Sequence, residues 1–172
     1  LQHYRVLIIG AGPVGLSAAI DLAIQGIEVL VLDESEKVSH GSRAICVSKR
    51  VLEISDRLGI GGKMLDKGVI WNLGKVFFAN KKVYEFNLLP EEGHQYPAFI
   101  NLQQYYLEEY LVSRIRELQK EGYSIEIRGG NRVEQVTNEP DKVTLNVNTR
   151  DGYYSLSCDW LIACVGPRST VR

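Results

Sequence analysis

The stretch Tyr4–Gly26, "YRVLIIGAGPVGLSAAIDLAIQG", constrains the fold more than any other part of the chain. A short apolar run, Arg5 to Ile9, leads directly into Gly10-Ala11-Gly12-Pro13-Val14-Gly15. Such a run suits a strand buried on both faces of a parallel sheet. Pro13 stands at a first helical position, where its missing N–H costs little. Leu16, Ala19, Ile20, Ala23 and Ile24 then recur at helical spacing, and Gly26 can end the helix. A second apolar run, Ile27 to Leu32, ends at Asp33. Strand, helix and strand in about 30 residues make a βαβ unit.

The three glycines have separable tasks. Gly10 permits the tight turn out of the strand, Gly12 lets the backbone approach a pyrophosphate, and Gly15 lets the helix lie close to the strand. Pro13 and Val14 open the helix, whose free N–H groups and positive dipole end face the phosphates. Asp33, followed by Glu34, lies 23 residues after Gly10, where a carboxylate accepts hydrogen bonds from ribose hydroxyls. The pattern predicts dinucleotide binding without separating FAD from NAD. An acid at Asp33 disfavours a 2′-phosphate at this position, and so NADP there. The alternative is a glycine turn that serves packing alone, which leaves Asp33 unexplained.

Elsewhere the spacing predicts a helix over 48–58, an antiparallel strand pair over 75–89 and a loop over 90–97. The longest helical pattern is 102–118. Strands are expected at 124–127, 132–136 and 143–149, a turn at Asp151-Gly152 into "YYSLSC", and a separate final strand in "DWLIACVG" at 159–166. The expected fold class is α/β: a Rossmann-like dinucleotide-binding βαβ with a mostly parallel sheet and an antiparallel β-meander.

At 172 residues the chain fits one domain with a real core. A net charge of −1 gives no reason to expect nucleic acid or an anionic membrane as partner. No apolar run approaches the roughly 18 residues a membrane span needs, and the apolar start lacks a signal peptide's basic flank; a cytoplasmic protein is expected. Cys46, Cys158 and Cys164 have no short C-x-x-C spacing, which argues against disulfides or zinc. His3, His40 and His94 are scattered, and metal binding is not expected. No G-x-S-x-G elbow supports a serine hydrolase. Trp71, Phe77, Phe78, Tyr84 and Phe86 suit core or interface packing, or the mouth of a site.

Three further stretches, "GSRAICVSKRVLEISDRLG" (41–59), "PAFINLQQYYLEEYL" (97–111) and "DWLIACVGPRSTVR" (159–172), join the glycine fingerprint in a resemblance. The chain resembles the FAD-dependent aromatic hydroxylases, single-component flavoprotein monooxygenases of the p-hydroxybenzoate hydroxylase type. The branch acting on 3-(3-hydroxyphenyl)propionate and related phenols looks nearest. The resemblance implies FAD as cofactor, NADH or NADPH as co-substrate, O2, and a small aromatic substrate. It places Arg43 and Ala44 of "SRA" near the FAD pyrophosphate and flavin, where a guanidinium suits two phosphates. Gln104, four residues before Glu108, matches the family's glutamine in Q-x-x-L-E; simple N-terminal capping is its alternative. Val133 marks the strand whose backbone faces the adenine, with plain strand packing as the alternative, and Gly166 belongs to the closing motif.

Two departures stand out. Val165 occupies the position of the family's aspartate in "C-D-G-x-R-S", and a valine side chain can hold neither cofactor nor nicotinamide nucleotide. The family's later Gly-Asp motif is also absent, since no G-D dipeptide occurs in the 172 residues. The chain is therefore expected to be an FAD-binding domain over 1–172, the N-terminal part of a longer enzyme, with the substrate domain beyond it. No catalytic residue is assigned. Two alternatives stay open: another FAD-dependent oxidoreductase of the same fold, and a truncated, inactive nucleotide-binding module.

Overall fold

The computed structural model of the chain describes residues 1–36 and 44–166. The elements run β1 (Gln2–Ile9), α1 (Pro13–Ile24), β2 (Val29–Leu32), β3 (Cys46–Ser48), α2 (Lys49–Arg57), α3 (Gly61–Lys67), β4 (Val69–Trp71) and β5 (Leu73–Phe78). They continue with β6 (Lys81–Asn87), β7 (Phe99–Asn101), α4 (Gln104–Lys120), β8 (Ile125–Arg128), β9 (Arg132–Asn138), β10 (Val143–Thr149) and β11 (Gly152–Ala163). The chain divides into two compact units, Leu1–Gly41 with Glu108–Arg172, and Ser42–Leu107.

The first unit is built on a six-stranded sheet in the order β8-β2-β1-β11-β10-β9. β8, β2, β1 and β11 are mutually parallel, with Ile8 level with Val31 and Ile162. The apolar runs of β1 and β2 have the cause expected of them: Leu7, Ile8 and the whole of β2 are shut off from water. α1 buries Leu16, Ala19, Ile20 and Ala23, and Gly26 ends it at φ +78°. β9, β10 and the first part of β11 form the antiparallel meander, whose Leu145, Val147 and Leu156 join Leu7, Ile9, Leu30 and Leu32 in one core cluster.

The last two expected strands are one. β11 runs unbroken for 12 residues, antiparallel to β10 over Gly152–Cys158 and parallel to β1 over Leu156–Ala163. Ser157 and Asp159 put two polar side chains in the middle of this strand. His3 on β1 bonds both Ser157 Oγ and Asp159 Oδ1 at 2.9 Å, which satisfies the polar groups within the sheet.

The second unit carries a three-stranded sheet, β3-β7-β4, and the separate hairpin β5-β6. The hairpin lies where the alternation predicts it. Its aromatics are not core: Phe77, Phe78 and Tyr84 are exposed, and only Phe86 is half-buried, beneath Gly74. The three-residue strands β3, β4 and β7 were not expected, because three residues carry no readable period. In α2 the buried residues are Leu52 and Ser55, and Val51 is exposed. No helix of the described residues is long and apolar enough to cross a membrane.

Candidate functional site

The carboxyl end of β1 is closed by backbone alone. Gly10 donates to Leu32 O at 2.7 Å, and Cys164 donates to Ile9 O at 2.7 Å. Gly10 turns at φ +104°, a conformation only glycine adopts freely. A side chain there would also stand 2.5 Å from the Cys164 carbonyl oxygen. At Gly15 a Cβ would run into the Gly10 carbonyl oxygen and crowd the Cys164 Cβ at 3.3 Å. These two glycines are therefore consumed by packing.

Gly12 is different. It is the N-cap of α1 with extended backbone, and a Cβ built on it meets nothing within 4 Å. The space that a Cβ would fill is open, although nothing in the fold requires glycine there. No side chain caps α1, and its first turn holds no acidic residue. The first-turn N–H groups of Val14 and Gly15 have no carbonyl a turn earlier to bond. Val14 presents an exposed side chain beside them, and Pro13 lacks an N–H. The result is an open surface with aligned amide dipoles, the surroundings a diphosphate needs.

Asp33 faces this loop. Its Oδ2 accepts the Ala11 N–H at 2.6 Å and its Oδ1 accepts the Ser35 N–H at 2.8 Å. The main chain of Asp33 is held by Arg128 O and Asn131 N. A carboxylate offers about four lone-pair directions, so the two backbone bonds orient it and leave capacity for sugar hydroxyls. Glu34 is exposed, with Arg132 Nε 3.9 Å from its Oε2; Glu36 pairs with Arg150 at 3.3 Å. Three acids thus fall within four residues, and two of them face arginines.

The remaining expected residues divide. Val133 is buried in the core cluster, level with Val147 on β10, so only its backbone could meet a ligand. Gly166, the last described residue, has φ +68° and open space at its Cβ position. Val165 is half-buried against the core cluster, and its N lies beside Gly10. Ala44 and Gln104 belong to the second unit; Ala44 is exposed, and Gln104 opens α4. Arg43 lies outside the described residues.

Two contributors escaped the sequence reading: Ala11, whose N–H holds Asp33, and Cys164, whose backbone closes under Gly10. The one available signal was the run of small residues Ala163-Cys164 after an apolar strand, which parallels Gly10-Ala11 after β1. Burial pushes the Cys164 thiol above its ordinary pKa, which keeps it neutral beside the loop.

A family model described as FAD binding domain matches residues 3–172. A para-nitrophenol 4-monooxygenase of Pseudomonas sp. strain WBC-3 is 31% identical over 170 residues, covering 97% of this chain and 41% of that relative. A 12-dehydrotetracycline 5-monooxygenase/anhydrotetracycline 6-monooxygenase of Streptomyces rimosus is 33% identical over 172 residues, 99% of this chain and 32% of that relative. The crystal structure of p-nitrophenol 4-monooxygenase from Pseudomonas putida DLL-E4 superposes with a TM-score of 0.91 at 28% identity, over 100% of this chain and 43% of that one. The chain thus spans 32% to 43% of the length of these relatives. It belongs to the FAD binding domain family.

Proposed function

We propose that the chain supplies the ADP-binding half of the FAD site in an enzyme that hydroxylates a phenolic substrate with O2 and NADH or NADPH. The observation that carries this is the division of labour among the glycines. Gly10 and Gly15 are demanded by the protein's own backbone, whereas Gly12 guards open space at a helix N-terminus. The family match supplies FAD as the dinucleotide.

When bound, FAD supplies the redox chemistry and the activation of O2; the protein positions it and controls water. In this assignment the α1 amides and Gly12 hold the diphosphate, and Asp33 accepts the adenosine ribose hydroxyls. Glu34 stands next to it, facing Arg132. Arg43, Ala44 and Gln104 serve the pyrophosphate and flavin end, Val133 offers backbone to the adenine, and Gly166 lies by the loop. NADH or NADPH acts as co-substrate. Use of these metabolites suits a cytoplasmic enzyme.

The test is an absorbance titration of the purified chain with FAD, followed by NADH and NADPH oxidation with and without phenol. Flavin absorbance that stays with the protein, and nucleotide oxidation stimulated by phenol, support the assignment. A protein that stays colourless after incubation with FAD overturns it.

A further inference from the structure

The small sheet of the second unit has one face with a distinct chemistry. Asn101 on β7 is level with Cys46 on β3 and Val69 on β4, and Phe99 is level with Trp71. Alternation along β7 puts Phe99 and Asn101 on one face and the buried Ile100 on the other. Trp71 and Phe99 stack with centroids 5.3 Å apart at 20°, and both are half-buried, while Val69 on the same face is 66% exposed.

Trp71 Nε1 donates to Asn101 Oδ1 at 2.9 Å, and Cys46 Sγ donates to the same oxygen at 3.4 Å. An indole N–H can only donate, so the amide oxygen must face it and the amide nitrogen must face away. Among the described residues nothing bonds Asn101 Nδ2. A stacked aromatic pair, with the outer ring face free to take one more ring, beside two uncommitted N–H donors matches a planar ring that carries an acceptor oxygen. The strands on either side lead to residues of the expected flavin end: Ala44 precedes Cys46 by two residues, and Gln104 follows Asn101 by three.

We propose that Trp71, Phe99 and Asn101 form a substrate wall, on which the ring of a phenol lies against the aromatic pair while the Asn101 amide donates to its oxygen. This rests on the aromatic hydroxylase assignment above and adds the residues that select the substrate. Asn101 is the specificity element, because an apolar ring of the same shape gains nothing from its N–H groups.

The test uses FAD-loaded protein carrying Trp160→Phe, which leaves Trp71 as the sole tryptophan. Trp71 emission is titrated with phenol and with toluene, which replaces the hydroxyl by a methyl group. Both are expected to change the emission saturably. Adding Asn101→Leu is expected to weaken phenol about threefold to tenfold, the range of one hydrogen bond, and to leave toluene unchanged. No saturable response to either ring in FAD-loaded protein overturns the wall. Equal effects of Asn101→Leu on both rings overturn the role of Asn101. Ring binding that persists in protein unable to load FAD upholds the wall and overturns the flavin assignment instead.

Discussion

The Asp33 carboxylate accepts the backbone N–H of Ala11 at 2.6 Å, across 22 residues of chain. That bond ties the end of β2 to the glycine loop and turns the acid toward the opening above Gly12. Asp33→Asn keeps the shape and removes the charge. It is expected to weaken FAD about tenfold or more, since hydrogen bonds to a charged group contribute roughly 1.5–3 kcal/mol. Fluorescence titration of FAD measures this; unchanged affinity would remove Asp33 from the site.

Gly10 and Gly15 answer to the fold. Gly10→Ala and Gly15→Ala each force a methyl group against backbone that cannot retreat. Overpacking of this kind costs about 1–3 kcal/mol, with strain at Gly10 in addition. Both variants are expected to unfold at lower urea concentration than the parent, with or without FAD. Parental stability in either one would contradict the packing described.

Burial raises the Cys158 thiol to about 11. The fold therefore favours the neutral thiol. Its stabilisation is complete below the ordinary thiol value near 9 and is lost as pH rises from there toward 11. The loss is on the order of 2–3 kcal/mol. Burial raises Tyr4 as well, and its contribution is lost above pH 10. Urea midpoints between pH 8 and pH 11 are expected to fall less steeply for Cys158→Ala than for the parent. Parallel slopes would contradict this.

The three cysteines differ in access: Cys46 is exposed, Cys164 intermediate and Cys158 buried. Ellman's reagent is expected to titrate one thiol rapidly in the native protein and three in urea. Cys46→Ser removes the rapid phase. A rapid phase that survives this substitution would contradict this order and place Cys164 or Cys158 within reach of solvent.

Much of the first unit was legible because its signals are long and redundant. The apolar run of β1, the 3.6-residue spacing from Leu16 to Ala23 and the acid at Asp33 each imply the others. The strand β10 lies where its alternation predicts, at Val143–Thr149. The continuity of β11 was not legible, since His3, which satisfies Ser157 and Asp159, lies more than 150 residues away in the chain. The sheet of β3, β4 and β7 escaped for a local reason: each strand has three residues. At the site, Gly10, Gly12, Gly15 and Asp33 carried readable side-chain or glycine signals. Ala11 and Cys164 act through backbone, which any residue possesses.

The most direct measurement is a calorimetric titration of Gly12→Ala with FAD, paired with its thermal unfolding. A Cβ at Gly12 touches nothing in the protein, so the variant is expected to unfold at the parent's temperature. The same methyl group would occupy the space of the diphosphate, so FAD binding is expected to fall by at least a hundredfold, the approach that glycine alone permits being lost. A variant that is equally stable and binds FAD as tightly as the parent would contradict the central claim.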